Sequence, residues 1–179
     1  MKSVIALSIA TAIACVGAGS AQAQVANSQF YGALGYAQDQ DQELGVIQGR
    51  LGARFGRFLG VEGEIGAGVK SYELTSVGFE LKRSIEYQVA SYAVAYAPLT
   101  PQIDLLARAG YGATRFKSSL TGTIGGPFSG KFTENSWNFG VGGQYLFDGK
   151  NGVRLDYLRQ DFESSPDGDV WSIAYVRRF

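Results

Sequence analysis

The chain has 179 residues, 16 basic and 16 acidic side chains, no histidine, one cysteine and a mean hydropathy of −0.03. Zero net charge excludes the basic footprint of a nucleic-acid-binding protein, and without histidine there is no Ser-His-Asp or Cys-His nucleophile and no His-ligated metal. Glycine is unusually frequent, with 25 residues or about 14%, against roughly 7% in average proteins.

Residues 1–23 have the pattern of a secretory signal peptide. Lys2 precedes an apolar stretch over residues 4–16, and the small-residue sequence Ala21-Gln22-Ala23 follows. The apolar stretch is shorter than the roughly 18–20 residues that a membrane-spanning helix needs. We therefore predict cleavage after Ala23 and a single domain over residues 24–179. The lone cysteine, Cys15, belongs to the predicted signal.

The remaining chain alternates apolar and polar residues over segments of about ten residues, a pattern typical of transmembrane β-strands. In the clearest segment Trp137 and Phe139 lie on one face, while Asn138 and Gly140 lie on the other. Eight strands are predicted. In chain order they cover residues 30–37, 47–55, 59–70, 85–97, 105–112, 137–147, 153–160 and 171–179.

Two of these strands alternate less regularly. In residues 85–97 the apolar phase switches between Val89 and Tyr92, which predicts a bulge or a different strand boundary. In residues 153–160 Arg159 falls on the apolar face, which a lipid-facing strand tolerates only close to the membrane boundary.

The connections between the predicted strands alternate in length. Short turns over 56–58, 98–102 and 148–152 alternate with longer polar segments over 38–43, 71–84, 117–135 and 161–169. This pattern predicts an up-and-down antiparallel sheet, and an even strand number lets the sheet close into a barrel. The longest segment, 117–135, is either an adhesive loop or a plain hairpin without a partner.

The polar face combines glycine with charge, which favours an interior that has little room for bulk. The large aromatic residues cluster near strand ends, as in the two girdles of a membrane barrel. A soluble lipocalin-like barrel, with its apolar face inward, is the alternative. We predict an all-β, eight-stranded antiparallel up-and-down transmembrane β-barrel in the cell outer membrane. Its lumen is predicted to hold a charge network of Arg50, Arg54, Glu62, Glu64, Arg108, Arg154 and Asp156.

The three-residue turn at 56–58 pairs Phe55 with Leu59, so Arg50 falls directly opposite Glu64. Opposite charges in a narrow interior form charge-assisted hydrogen bonds. Such a lumen is either a selective pore or a polar plug, and eight strands favour the plug.

Basic residues also collect near the predicted outer ends of the strands. They are candidates for contacts with the phosphate groups of lipopolysaccharide, and solvated rim charge is the alternative. The candidates are Lys70, Lys82, Arg83, Arg115, Lys117 and Lys131.

Three features carry a family resemblance: Val61-Glu62-Gly63-Glu64, the segment 107–112 with sequence ARAGYG, and the final residue, Phe179. With the signal peptide, they resemble the small OmpA-like, opacity-protein-like outer-membrane β-barrels of Gram-negative bacteria. The resemblance implies that the last strand, ending at Phe179, is the signal read by the barrel-assembly machinery. Arg177 departs from the aromatic or apolar residue usual in that family two positions before the end.

The sequence thus predicts a non-enzymatic surface protein with a structural role, whose loops contact lipopolysaccharide, a host ligand or another surface. A small channel for ions or narrow solutes is the alternative, and a soluble barrel or lipid-modifying enzyme is less favoured. Enzymes of this architecture rely on a histidine-assisted hydroxyl, and this chain has no histidine. No cofactor and no metal site are predicted.

Overall fold

The structure, a computed structural model, describes residues 28–40, 44–76, 79–122, 128–164 and 166–179. The predicted signal peptide, residues 1–23, lies outside these ranges. Within them no helix is long and apolar enough to cross a membrane. The strands are β1 (Ser28–Asp39), β2 (Gly45–Phe55), β3 (Leu59–Lys70), β4 (Tyr72–Ser76), β5 (Phe79–Pro98), β6 (Ile103–Gly122), β7 (Phe128–Leu146), β8 (Asn151–Phe162) and β9 (Gly168–Arg178).

The strands form one closed antiparallel barrel. The sheet order is β3-β2-β1-β9-β8-β7-β6-β5-β4, and an additional pairing of β3 with β5 closes it. β3 and β4 are separated only at Ser71, and both pair with β5. They are therefore two parts of one stave, meaning one strand position around the barrel wall. The barrel therefore has eight staves, which confirms the predicted fold. The predicted register of β2 and β3 is also confirmed, with Phe55 opposite Leu59 and Arg50 opposite Glu64.

The outer wall is apolar along its middle, and aromatic rings mark both edges. At the outer edge Tyr111 packs against Trp137, and Tyr157 against Trp171, with ring centroids 5.1 Å apart in each pair. Such girdles are typical of the two interfaces of a membrane barrel. The opposite edge carries the exposed rings of Phe30, Phe55, Phe58, Tyr145, Phe147, Tyr175 and Phe179.

Arg159 lies at the outer edge of this wall, where it forms ion pairs with Asp167 and with Asp169 at 3.3 Å. Its place near the boundary agrees with the expectation for a charge on a lipid-facing strand.

The turn between β7 and β8 is fixed by Asp148. Its carboxylate accepts hydrogen bonds from the backbone N–H of Asn151 at 2.6 Å and of Lys150 at 2.9 Å. These bonds, that of Asn151 first, lower the pKa of Asp148 to about 2. Gly149 supplies the left-handed conformation of the turn, with φ of 78°. The carboxylate therefore keeps this turn closed throughout the neutral range.

Two of the predicted loops are in fact mostly strand. Residues 71–84 contain β4 and the start of β5, and residues 117–135 contain the end of β6 and the start of β7. β5 and β6 have 20 residues each, and β8 has 12. The additional residues extend β5 and β6 by roughly 27 Å relative to β8, at about 3.4 Å per residue. Their Ser, Thr and Gly content is typical of loops, but pairing with the neighbouring strands stabilises these segments as a β-hairpin. Residues 123–127, with the predicted turn Gly125-Gly126-Pro127, lie outside the described ranges.

The irregularity in β5 lies at a different place from the predicted one. The register with β6 shifts between Ile85 and Tyr87, whereas the sequence indicated residues 89–92. From Tyr87 onward the alternation continues without a switch, with Tyr92 and Tyr96 buried in the lumen. Alanines occupy the lipid-facing positions between them, so both faces are apolar and the phase could not be read from hydropathy.

Glycine makes room for the large side chains of the lumen. A Cβ atom on Gly110 would collide with the backbone oxygen of Ser91 and lie 2.5 Å from Tyr92 Cδ1. On Gly142 it would lie 2.5 Å from Asp156 Oδ1. The glycine excess in the composition therefore reflects close approach between the lumen side chains of neighbouring strands.

We expect Gly110→Ala to lower the free energy of unfolding by about 1–3 kcal/mol, because the added methyl group overpacks the lumen. Gly143→Ala is the matched control, since it lies on the outer face, where the nearest atom, Leu105 Cδ2, is 3.6 Å away. Urea unfolding in lipid vesicles, followed by tryptophan fluorescence, measures both. Equal stability of the two variants would contradict this role of glycine.

Candidate functional site

The lumen contains a network of six charged side chains at its centre. Each of these side chains is 2% exposed or less. They come from four strands that the closed sheet brings around one axis. The members are Arg50 on β2, Glu62 and Glu64 on β3, Arg108 on β6, and Arg154 and Asp156 on β8.

Glu62 is the hub of this network. One of its oxygens accepts a hydrogen bond from Arg154 Nη1 at 2.7 Å and another from the Tyr31 hydroxyl at 2.8 Å. The other oxygen accepts from Arg108 Nη1 at 3.1 Å. Glu62 therefore joins three strands besides its own.

Arg50 connects the two other carboxylates. It donates from Nε to Glu64 at 2.7 Å and from Nη1 to Asp156 at 2.6 Å. Asp156 also accepts from Arg154 Nε at 2.9 Å, and Arg108 lies 3.3 Å from Glu64. Three guanidinium groups thus balance three carboxylates, so the network as a whole is neutral.

A second cluster forms around Asp104 nearer the periplasmic end. Its carboxylate accepts hydrogen bonds from Arg54 at 3.0 Å, Gln144 at 2.8 Å and Arg178 at 2.5 Å. In the register of β2 and β3 Arg54 is diagonal to Glu62, but its guanidinium contacts Asp104 instead. Arg54 therefore belongs to the second cluster and not to the central network.

Tyrosines connect the two clusters. The guanidinium of Arg54 lies 4.3 Å from the ring centroid of Tyr96, whose hydroxyl donates to the Tyr31 hydroxyl at 2.9 Å. Tyr31 in turn donates to Glu62. The alternation pattern does not reveal these tyrosines, because apolar residues surround them on both faces. Asp104 lies just outside the predicted strand 105–112, and extending the alternation of β6 by four residues from Arg108 places it in the lumen.

The lumen is filled above this network as well. Leu44, Phe116 and Phe162 form a buried apolar cluster towards the outer end. The cavity that these three side chains line with Gln88 and Gln160 has a volume of only about 20 Å³, enough for about one water molecule. Within the described residues, no group of three or more His, Cys, Asp or Glu side chains is placed to hold a metal ion.

The cationic residues expected at the outer rim separate into two groups. Lys117 on β6 lies directly opposite Lys131 on β7 on the outer face of the extended hairpin, and Arg115 shares that face. Glu86 pairs with Lys131 at 2.7 Å and with Arg115 at 3.2 Å. Lys82 is also exposed on that outer face, and the exposed Lys70 ends β3.

Arg83 differs from this expectation. It lies on the inner face of the hairpin, and its guanidinium stands 4.5 Å from the ring centroid of Phe116 and 5.7 Å from that of Phe132. The bulge at Glu86 is the physical reason, because one extra residue gives the part of β5 before it the opposite alternation from the part after it.

A closed antiparallel barrel with an apolar wall, two aromatic girdles and a charged interior is a transmembrane β-barrel of the outer-membrane class. Residues 9–179 match the family described as outer membrane protein beta-barrel domain. The chain belongs to that family and is an outer-membrane protein. This confirms the resemblance to small outer-membrane barrels. A search of curated proteins finds no match.

Solved structures of outer-membrane barrels have the same fold. The Ail attachment invasion locus protein of Yersinia pestis, in complex with the heparin analogue sucrose octasulfate, aligns with a TM-score of 0.61 and 18% identity over 86% of this chain and 99% of Ail. The N-terminal barrel of OprF from Pseudomonas aeruginosa gives 0.62 and 14%, over 86% and 98%. A major outer membrane protein of Thermus thermophilus gives 0.55 and 14%, over 85% and 99%.

We expect Glu62→Gln to lower the free energy of unfolding by about 3–5 kcal/mol, because buried guanidinium groups lose their shared counter-charge. Among the described residues Arg154 Nη2 and Arg108 Nε already have no hydrogen-bond partner, so the network has no spare acceptor. Urea unfolding in vesicles measures the loss.

The control for this variant is Glu86→Gln, which removes a carboxylate from an exposed ion pair and should leave the unfolding curve unchanged. Overlapping curves for Glu62→Gln and the wild-type protein would show that the central network is not required for stability.

Proposed function

We propose that this barrel is a non-enzymatic structural protein of the outer-membrane surface, whose extended hairpin contacts the phosphate groups of lipopolysaccharide. The observation that carries the proposal is the pairing of Lys117 with Lys131, which lie opposite each other on the outward face. Like charges directly opposite on a sheet destabilise it, and a phosphate group between them removes that repulsion.

The charge around this pair also favours an anionic ligand. We call Arg115, Lys117, Lys131 and Glu86 the outer patch; it has three cations and one anion. Hydrogen bonding from Lys131 lowers the pKa of Glu86, so the net charge of +2 persists at neutral pH. Arg115 lies opposite Tyr87 in the outer girdle, 6.0 Å from its ring centroid. The outer patch therefore begins where the lipid headgroups begin.

The proposal that the barrel is non-enzymatic rests on the ion pairs of its buried carboxylates. Glu62, Glu64 and Asp156 each contact at least one guanidinium group within 2.9 Å. Carboxylates engaged in such ion pairs suit a structural role better than proton transfer. The chain has no histidine to activate a hydroxyl nucleophile.

A second candidate function is attachment to a sulfated polysaccharide. Ail of Yersinia pestis, similar in fold at 18% identity, forms a complex with a heparin analogue. Sulfate groups fit the same cations as phosphate groups, and the hairpin holds the outer patch on the cell surface. Retention on a heparin column, and cell binding after deletion of residues 118–131, test this function. Unchanged binding would exclude the hairpin as the contact.

A channel for ions or narrow solutes is less well supported. The central network and the apolar cluster of Leu44, Phe116 and Phe162 fill the lumen in succession along the axis. We expect no steady openings from purified protein in planar bilayers. Sizeable, steady conductance would favour the channel function instead.

The proposed assembly signal, Phe179, directly follows β9. Its backbone N–H donates to the Phe30 carbonyl at 2.9 Å, and its side chain is 74% exposed at the periplasmic edge. This exposure supports recognition of the last strand by the barrel-assembly machinery.

The double variant Lys117→Gln/Lys131→Gln should weaken lipopolysaccharide binding about tenfold, because the ligand loses charge-assisted hydrogen bonds. Lys150→Gln/Arg177→Gln removes the same charge from exposed residues at the other rim and is the matched control. Native mass spectrometry of protein released from lipopolysaccharide-containing nanodiscs measures the bound fraction. Equal binding by both double variants would contradict the proposal.

A further inference from the structure

The periplasmic mouth of the barrel contains a cavity of about 390 Å³ that the outer patch does not involve. It lies between the turn after β2 and the turn after β5, beneath the Asp104 cluster. We propose that this cavity, the periplasmic cup, is a second binding site, which takes a phosphate group. The lining residues that matter are Gln29, Arg54, Arg57, Thr100, Asp104 and Arg178.

The charge of the periplasmic cup is unbalanced, unlike that of the central network. Three arginines line it, and Asp104 is the one acidic residue among its lining residues. Both Arg54 and Arg178 bond to that carboxylate, so one carboxylate is shared by two guanidinium groups. Arg57 adds a further positive charge. The lining therefore has a net charge of +2 and favours an anion.

Arg57 is the arginine best placed to bind a ligand. Within the described residues its guanidinium has no carboxylate partner, and it stands 5.6 Å from the ring centroid of Phe58. Its backbone carbonyl accepts a hydrogen bond from Arg54 Nη2, which ties the turn to the cup wall. Because Phe58 is exposed at the periplasmic girdle, Arg57 lies between the lipid edge and the cavity.

The other walls of the periplasmic cup are held in place before any ligand binds. Asp104 and the ring of Tyr96 fix the guanidinium of Arg54. In the turn after β5, Thr100 Oγ1 accepts hydrogen bonds from the backbone N–H of Ile103 at 3.0 Å and of Gln102 at 3.2 Å. A preorganised site loses less entropy on binding.

Arginine is the side chain that best matches phosphate, because its planar fork donates two parallel hydrogen bonds to two oxygens. The cavity is open to the periplasm, and its volume of about 390 Å³ leaves room for a phosphate-bearing group. The phosphate comes from a soluble periplasmic compound or from a phospholipid headgroup of the inner leaflet, and the two sources present the same chemistry to the arginines.

A soluble phosphate compound is tested with inorganic pyrophosphate. Full-length mature barrel in maltoside micelles, which contain no phosphate, is titrated and followed by calorimetry. We expect Arg57→Gln and Arg178→Gln each to weaken binding about tenfold, as for the loss of a hydrogen bond to a charged group. Arg177→Gln is the matched control. This substitution removes the same charge from the outer face of β9 and should change the affinity less than twofold.

The headgroup is tested with the same four proteins in nanodiscs of phosphatidylglycerol and phosphatidylcholine. Native mass spectrometry counts the phosphatidylglycerol molecules that stay bound. Loss of bound lipid in Arg57→Gln and Arg178→Gln, but not in Arg177→Gln, assigns the cup to the headgroup. Binding of pyrophosphate with that same variant pattern assigns it to a soluble compound.

Two outcomes would overturn the proposal. The first is that neither ligand binds. The second is that all three variants weaken binding equally, which would mean that the ligand is attracted by the overall charge of the rim and not by a specific site. Heat-dependent gel mobility of each variant checks that the barrel has folded. Arg57→Gln leaves the Asp104 cluster intact, so it remains informative if Arg178→Gln destabilises the barrel. The outer patch lies at the opposite rim, so failure of either proposal leaves the other standing.

Discussion

The mutual neutralisation of three arginines and three carboxylates on the barrel axis is the interaction on which this structure depends. Eight staves enclose a space too narrow for bulk water, so charges there are costly unless they compensate one another. Arg50, Glu62 and Asp156 achieve this across the lumen, joining β2, β3 and β8. The outer wall can then be wholly apolar along its middle, because the charged groups of the membrane-spanning strands are paired inside.

The same constraint explains the composition of the chain. Large side chains fit this narrow lumen more easily where the neighbouring strand carries no side chain at all. Gly110 beside Tyr92, and Gly142 beside Asp156, are such positions. A near-zero mean hydropathy is consequently an average over a lipid-facing wall and an ionic interior, and not a property of either.

The sequence was sufficient for those features that depend on local alternation. Period-two patterning predicted eight staves and their orientation, and a three-residue turn set Arg50 opposite Glu64. It could not predict that Arg54 binds Asp104, since these residues are 50 positions apart and meet only when the barrel closes. Nor could it predict the length of the hairpin of β5, β6 and β7, because Ser- and Thr-rich segments form loops or strands according to their neighbours.

The bulge at Glu86 divides β5 into two segments that differ in which alternate residues face outward. Below it, odd-numbered residues meet lipid; above it, even-numbered residues face outward, so Lys82 takes the outer face of the hairpin and Arg83 the inner face. The membrane-embedded and the surface-exposed portions of β5 can therefore change in sequence independently. Deleting the bulged residue would exchange the inner and outer faces of the β5 segment above it, while the register of β5 in the barrel below would stay unchanged.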